Sequence, residues 1–371
     1  MRFIGLLFVA LLLPVSTNSL FSQTEHTTIG GYGELHYNEP DGAGSGQLDF
    51  HRFVLYLGHQ FDDRVSFHSE VEIEHTLIVA GESEGGELSI EQAFLDYRIS
   101  APLVVRAGIL LAPVGLINQY HEPPTFNGVE RPNVDRYIIP TTWREAGIGL
   151  HGMITPELQY QAYVVAGLRA EGFDAKGGLR GGRQSALESS PANPSFTGRI
   201  DYSPALDTQI GGSWFVGNAN ENADSVGSAT VALLSVDVRQ TLGDLELRGV
   251  GAIVSVSDAD RINARYGNRV ADRMLGYYVE GAYNIMPVLC PESEQRLSLF
   301  ARYERYDTQS STTGFSRLKQ YDRSDVVFGA TYKPTYNTCF KVDYTFINNA
   351  LNTGSVPNTK QLNIGIGYFF N

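Results

Sequence analysis

The sequence predicts an all-β protein: a transmembrane antiparallel up-and-down β-barrel of sixteen strands, with one loop folded inward as a constriction. Three observations predict it. Apolar residues alternate with polar or small ones at period two along almost the whole chain, the spacing of strands with two unlike faces. Short and long connections alternate without a break, as in a barrel with tight turns at one rim and loops at the other. Aromatic residues reach 11% and Gly numbers 39, while charged residues make up only 19% of the 371, below the usual quarter. Beyond residue 22 no run approaches the ~18 apolar residues that a spanning helix needs, so a membrane would be crossed by strands. The net charge of −13 argues against a nucleic-acid partner.

The chain opens on a processing signal. Arg2 precedes an apolar stretch from Phe3 to Val15, and small polar residues follow through Ser19. The stretch is too short to span, so residues 1–22 read as a Sec signal peptide. Cleavage is expected after Ser22, with Ser19 as the alternative. No Cys lies near, which excludes a lipoprotein, and 23–371 is the barrel.

The strands then follow in order. The Gly-rich segment 27–37 comes first and 48–60 second. The clearest is 64–76: Val65, Phe67, Val71 and Ile73 share one face, and Ser66, His68, Glu70, Glu72 and Glu74 the other. Further strands are expected at 88–99, 102–111, 143–154, 157–168, 194–203, 206–217, 228–240, 244–256, 273–285, 295–307, 323–333 and 338–348. The last, 360–370, sets Leu362, Ile364, Ile366, Tyr368 and Phe370 opposite Asn363, Gly365 and Gly367. No amphipathic helix and no linker composition interrupts the series.

Turns at 62–63, 100–101, 155–156, 204–205, 241–243, 286–294 and 334–337 would form one rim. The longer connections 38–47, 77–87, 112–142, 169–193, 218–227, 257–272, 308–322 and 349–359 would form the other. In hydrocarbon every backbone N–H and C=O needs an internal partner, so a sheet can span only by closing on itself. About sixteen strands are wide enough to hold water. Arg52, Glu70, Glu72, Asp96, Arg98, Arg199, Asp201, Asp237, Arg239, Glu280, Lys341 and Asp343 then face the lumen, and their apolar neighbours face lipid.

The connection 112–142 is the longest. It is rich in Pro and carries His121, Glu122, Glu130, Arg131, Asp135 and Arg136, with Arg144 just beyond. Folded inward, it would set these charges against Arg52, Glu70, Glu72, Asp96, Arg98 and Arg106 of the wall and govern which ions pass. An external loop with solvated charges is the alternative. Glu70, Glu72 and Glu74 follow one another ~7 Å apart on one strand, an acidic stripe rather than a cation site. His36, His51, His59, His68 and His75 are scattered over three strands, so no metal site is expected. There is no G-x-S-x-G or H-E-x-x-H motif, and the reading is of a protein that is not an enzyme and needs no cofactor. Cys290 and Cys339 fall toward the same rim. A disulfide between them is open in an oxidising compartment, provided their Cα atoms come within ~7 Å.

Four segments carry a resemblance. They are Ile29-Gly30-Gly31-Tyr32-Gly33-Glu34; Phe50-His51-Arg52-Phe53 leading to Phe61-Asp62-Asp63-Arg64-Val65-Ser66-Phe67; Ala93-Phe94-Leu95-Asp96-Tyr97 before Arg106-Ala107-Gly108 and Ala112-Pro113-Val114-Gly115-Leu116; and the closing Gly365-Ile366-Gly367-Tyr368-Phe369-Phe370. In these the chain resembles the phosphate-selective porin O/P family of bacterial outer membranes. The architecture covers the whole mature chain, and the motif matches concentrate in its first third. The resemblance implies a homotrimer of sixteen-stranded channels. Family members that select phosphate use an Arg ladder and a Lys cluster. Here 41 acidic residues outnumber 28 basic ones, although Arg52, Arg98, Arg106, Arg131, Arg136 and Arg144 could make a positive stripe. Anion against cation preference therefore stays open. A further departure is Asn371 after Phe370, where porin chains usually end on Phe.

The reading that results is an outer-membrane porin of a Gram-negative-type bacterium, set in outer-membrane lipids and passing small hydrophilic solutes and ions. The alternative is a plugged barrel that binds a partner through its outer loops.

Overall fold

The computed structural model describes residues 26–42, 45–78, 85–220 and 226–371. The expected signal peptide, 1–22, lies outside the described residues. The strands are β1 (Thr27–Pro40), β2 (Gln47–Gln60), β3 (Val65–Ile78), β4 (Gly85–Ser100), β5 (Leu103–Leu111), β6 (Arg144–Thr155), β7 (Leu158–Ala166) and β8 (Pro194–Ala205). They continue with β9 (Thr208–Asn218), β10 (Thr230–Leu242), β11 (Leu245–Val256), β12 (Arg273–Asn284), β13 (Arg296–Ser311), β14 (Asp322–Thr335), β15 (Thr338–Asn349) and β16 (Thr359–Phe370). Each pairs antiparallel with the next, and β16 returns to β1 from Gly31↔Phe370 to Pro40↔Gln361, closing a sixteen-stranded barrel. All sixteen expected strands are present. The largest error is at β13, which runs on to Ser311 because Ser311 still pairs with Arg273 across an irregularity in the ladder.

The two faces differ as the alternation requires. Leu55, Leu57, Val71, Leu95, Ile148, Leu150, Ile200, Leu234, Val236, Ile253, Val279, Phe328 and Ile364 point outward and are exposed, an apolar belt fitted to hydrocarbon rather than water. Inward, the wall is of two kinds. On β1–β4 and β12–β15 it carries Glu34, Arg52, Glu72, Glu280, Arg302, Glu304, Asp325, Lys341 and Asp343, all buried. On the outer half of β10 and β11 it carries Val231, Leu233, Val250, Ala252, Val254 and Val256, packed in one apolar cluster with Leu168, Phe173, Leu179, Ala259 and Ile262 of the loops. The outer loops thus fill part of the lumen that the sequence reading left to water. Both faces of these strands are apolar, one against the loops and the other in the outward belt, and this removes the alternation that would announce the filling.

Three bulges break the period-two pattern at the start of the chain. Between Glu34↔Arg52 and His36↔Asp49, β2 has one residue more than β1. Between Glu70↔Gln92 and Val71↔Ile90, β4 carries Glu91 as an extra residue. Between Glu74↔Glu87 and Ile78↔Gly85, β3 is the longer side, and His75 there has φ of 52°. One extra residue shifts every later side chain on its strand to the opposite face; β3 is longer by two, and the reversal there is local.

Two short helices were not foreseen as such: α1 (Val134–Tyr137) within the long loop and α2 (Ala259–Tyr266) in the connection 257–272. The first is too short to show helical periodicity, and the second buries only Ala259 and Ile262. The turn 286–294 holds a third, α3 (Met286–Leu289). The possible disulfide is corrected: Cys290 and Cys339 are both free, the first exposed and the second buried. Cys339 lies on β15 and Cys290 in the β12–β13 turn, so β13 and β14 stand between them. Two strand spacings of ~4.8 Å exceed the reach of a disulfide.

Candidate functional site: the throat and outer vestibule

The connection between β5 and β6 crosses the lumen. Its backbone is held by the far wall: Gly115 N–H donates to Ser213 Oγ at 3.0 Å, Val129 N–H to Asp343 Oδ2 at 2.7 Å and Val134 N–H to Glu304 Oε2 at 3.1 Å. Wall cations reach back to its carbonyls, Arg199 Nη1 to Gly115 O at 2.9 Å and Lys333 Nζ to Pro124 O at 2.6 Å. Asn127 and Asn133 donate to Glu280 and Asp325 at 3.0 and 2.7 Å. Many buried wall carboxylates thus serve as acceptors for loop N–H groups, which a loop inside a barrel otherwise leaves without partners. Apolar anchors Val114, Ile138, Ile139 and Trp143 complete the seat, with Trp143 tilted against Phe215 at 4.4 Å.

On the β1–β4 side the loop closes against charge. His121 meets Glu91 at 3.1 Å, Glu130 meets His36 at 3.1 Å, and Tyr56 reaches Glu122 at 3.5 Å. Arg52 lies among Glu34 at 2.7 Å, Glu72 at 3.0 Å and Glu74 at 3.8 Å. Burial alone would push the Glu130 carboxyl up, but bonding to His36 and its charge hold it at about 2.

Above the loop lies a vestibule of about 550 Å³, open to the long-loop rim. Its carboxylates are all paired: Glu34 and Glu74 with Arg52, Asp49 with His51 and His75, Glu130 with His36, and Glu304 with Arg302. Four of its six arginines are not. Arg131, Arg136, Arg180 and Arg323 line it without forming an ion pair among the described residues. Arg180 comes from the next long loop and donates to Thr141 O at 2.7 Å. Burial, with the charges of Arg183, Arg136 and Arg131, pulls its guanidinium down to about 9. Burial and Arg144 likewise pull Arg183 down to about 10. Like charges crowded this way favour an anion among them.

The anticipated residues divide. Arg52, Glu70, Glu72, His121, Glu122, Glu130, Arg131, Arg136 and Arg144 gather around the loop, with Arg144 at 4.0 Å from Glu91. Asp96 and Arg106 instead bond to each other at 2.7 and 2.8 Å, with His151 at 3.3 Å, and contact no loop residue through an ion pair. Arg98 is exposed beside the short turn 101–102. Asp135 corrects the expectation of a passage-lining charge. It is fully buried, because α1 turns Val134 and Asp135 to the wall and Arg136 and Tyr137 to the vestibule. Burial and the nearby Glu304 push its carboxyl up to about 8.

No family model matches the chain. An uncharacterized protein of Aquifex aeolicus (strain VF5) is 39% identical over 346 residues, covering 90% of this chain and 78% of the relative. The chain belongs to the family of that Aquifex protein. Among solved structures, the Aquifex-family barrel is similar to the outer membrane channel DcaP of Acinetobacter baumannii, with TM-score 0.60, 14% identity, and 93% and 97% of the two chains covered. It is also similar to OmpF of Salmonella typhi, with TM-score 0.60, 12% identity and coverage of 93% and 97%. A third is OmpT of Vibrio cholerae in its trimer form, with TM-score 0.57, 12% identity and coverage of 92% and 98%. At these identities the likeness is one of fold alone.

Within the Aquifex-family barrel, sequence reasoning missed Glu91 and Asp49 and left His51 and His75 scattered instead of joined, because the bulges turn all four inward against the alternation. It also missed Arg180, Arg183, Arg302, Glu304 and Arg323. The wall residues Arg302 and Glu304 did carry a signal, since they alternate with outward Ala301, Tyr303 and Arg305 on β13. The loop arginines carried none.

Proposed function

We propose that this protein is an outer-membrane channel for passive diffusion of small hydrophilic solutes and ions, with a preference for anions. The observation that carries this is the charge balance of the vestibule: every carboxylate there is paired, and four of its arginines have no carboxylate partner among the described residues. The acidic total of the chain is thereby irrelevant to the entry path, since field at a constriction is set by local unpaired charge. Small oxyanions such as phosphate are the favoured solutes, because guanidinium forks match them bidentately. The leader 1–22 directs Sec export, and the mature barrel assembles as a homotrimer in outer-membrane lipid.

A second reading is a closed barrel whose loops bind a partner. The apolar packing of the loops against β10 and β11 favours it. Single-channel current of the detergent-folded protein in a planar bilayer decides between them. A salt gradient should give discrete steps with a reversal potential of anionic sign, and phosphate should reduce chloride current. Verified insertion without current would overturn the channel, and a cationic reversal potential would overturn the selectivity.

A further inference from the structure

We propose that Asp49, His51 and His75 form a binding site for a divalent transition-metal ion of the Zn²⁺ class at the outer mouth of the vestibule. Asp49 and His51 lie on the outer part of β2, and His75 on that of β3. Period two would send His51 out beside Phe53 and Leu55, and His75 out beside Ile73. The β2 bulge turns His51 inward next to Arg52. The β3 bulge, where His75 takes its positive φ, turns His75 inward next to Glu74.

The three side chains converge on one point. His51 Nδ1 lies 3.2 Å and His75 Nδ1 2.8 Å from the same Asp49 Oδ2, and the three ligand atoms all lie within 4.8 Å of one another. A tetrahedral ion with bonds of ~2.1 Å holds its ligand atoms about 3.4 Å apart, so Asp49 Oδ2 must draw back by a few tenths of an ångström and the two imidazole nitrogens, no more than 4.8 Å apart, must close by about 1.4 Å at most. The rings are held in place. His51 stacks on His36 at 4.7 Å and meets the His75 ring edge-on at 5.2 Å.

Two imidazoles with one carboxylate oxygen suit a borderline ion and are poor for Ca²⁺ or Mg²⁺, which take oxygen. All three residues line the vestibule. The fourth position therefore opens to solvent, as in sites that bind a water or an anion there.

Binding asks for a tautomer change at both rings: His75 Nδ1, 2.8 Å from the Asp49 carboxylate, donates its proton there and must carry it on Nε2 instead, and His51 must do likewise. Arg52 Nη2 donates to His51 Nε2 at 3.1 Å, which leaves the proton of a neutral ring on Nδ1, facing Asp49. A metal at Nδ1 requires that proton to move to Nε2, so Arg52 gives up this contact and keeps Glu34 and Glu72.

The test uses the full mature protein folded in detergent, stripped with EDTA and dialysed against ZnCl₂. Zinc per chain is measured by mass spectrometry and affinity by calorimetry. The wild type should hold one zinc per chain. His51→Ala with His75→Ala, and separately Asp49→Asn, should weaken binding about tenfold or more, while His68→Ala leaves it unchanged. The heat-dependent gel mobility of a closed barrel checks folding. If the double variant misfolds, His75→Ala alone serves, since that side chain is half exposed and, among the described residues, hydrogen-bonds to Asp49 alone. A folded wild type without stoichiometric zinc, or variants that bind as the wild type does, would overturn the site. The readout is independent of conduction: zinc bound by a barrel that carries no current upholds this site and fails the channel, and current without zinc does the reverse.

Discussion

His121 Nε2 lies 3.1 Å from Glu91 Oε2, and its Nδ1 lies 3.1 Å from the carbonyl oxygen of Asn118. Both ring nitrogens face acceptors, and both His121 and Glu91 are buried. One side chain thus fastens the loop to the β4 bulge and folds the loop onto itself.

His121→Ala should therefore loosen the loop and leave Glu91 with Arg144, at 4.0 Å, as its ion-pair partner among the described residues. Removing one partner of a buried pair costs about 3–5 kcal/mol. Urea unfolding followed by Trp fluorescence should read a loss in that range. Glu91→Gln, which keeps an acceptor for His121, should lose clearly less. Equal losses would show that the cavity, not the pairing, matters.

Arg136 faces the vestibule, with its guanidinium over the neighbouring Tyr137 ring at 5.5 Å. Arg136→Glu reverses one charge in water-filled space, where a unit charge at ~4 Å is worth about 1 kcal/mol. The anion-to-cation permeability ratio from reversal potentials should fall about fivefold or more. Arg98→Glu, at the exposed inner end of β4, should change it little.

Asp135 gives a pH signature. Its carboxyl is pushed from 3.8 to about 8 by burial and by Glu304, so the folded protein keeps the proton while the unfolded chain loses it. The unfolded state binds fewer protons across that window, so this residue makes stability fall as pH rises from about 4 to about 8. Asp135→Asn should remove that slope. It should be more stable than the wild type by about 1–3 kcal/mol at pH 8 and about equal to it at pH 4 by urea unfolding. A parallel slope in the variant would refute the assignment.

Gly276 on β12 is where helix α1 rests. A Cβ there would come within 2.7 Å of Ile138 Cγ1 and 3.2 Å of Val134 Cγ1. Gly276→Val should push the loop off the wall. Overpacking of this kind costs about 1–3 kcal/mol, and the expected readout is a changed single-channel conductance from a barrel that still shows heat-dependent mobility. Unchanged current would mean that the wall yields instead of the loop.

The sequence by itself determined the barrel. Period-two alternation assigns each strand its two faces, and the alternation of short and long connections orders the rims. Closure follows because a sheet in hydrocarbon cannot leave edges unpaired. Even the inward loop was legible, in its length and its charges. The tertiary structure decided which charges meet. One extra residue reverses every later side chain on its strand, and no composition marks a bulge. It took paired strands to show His51, His75 and Glu91 facing inward. The same holds for Asp135 and Arg136, neighbours that a turn of helix sends to opposite surroundings. Arg180 reaches the vestibule only because its loop folds back against Thr141. That is a contact between segments far apart in the chain, and local pattern cannot encode it.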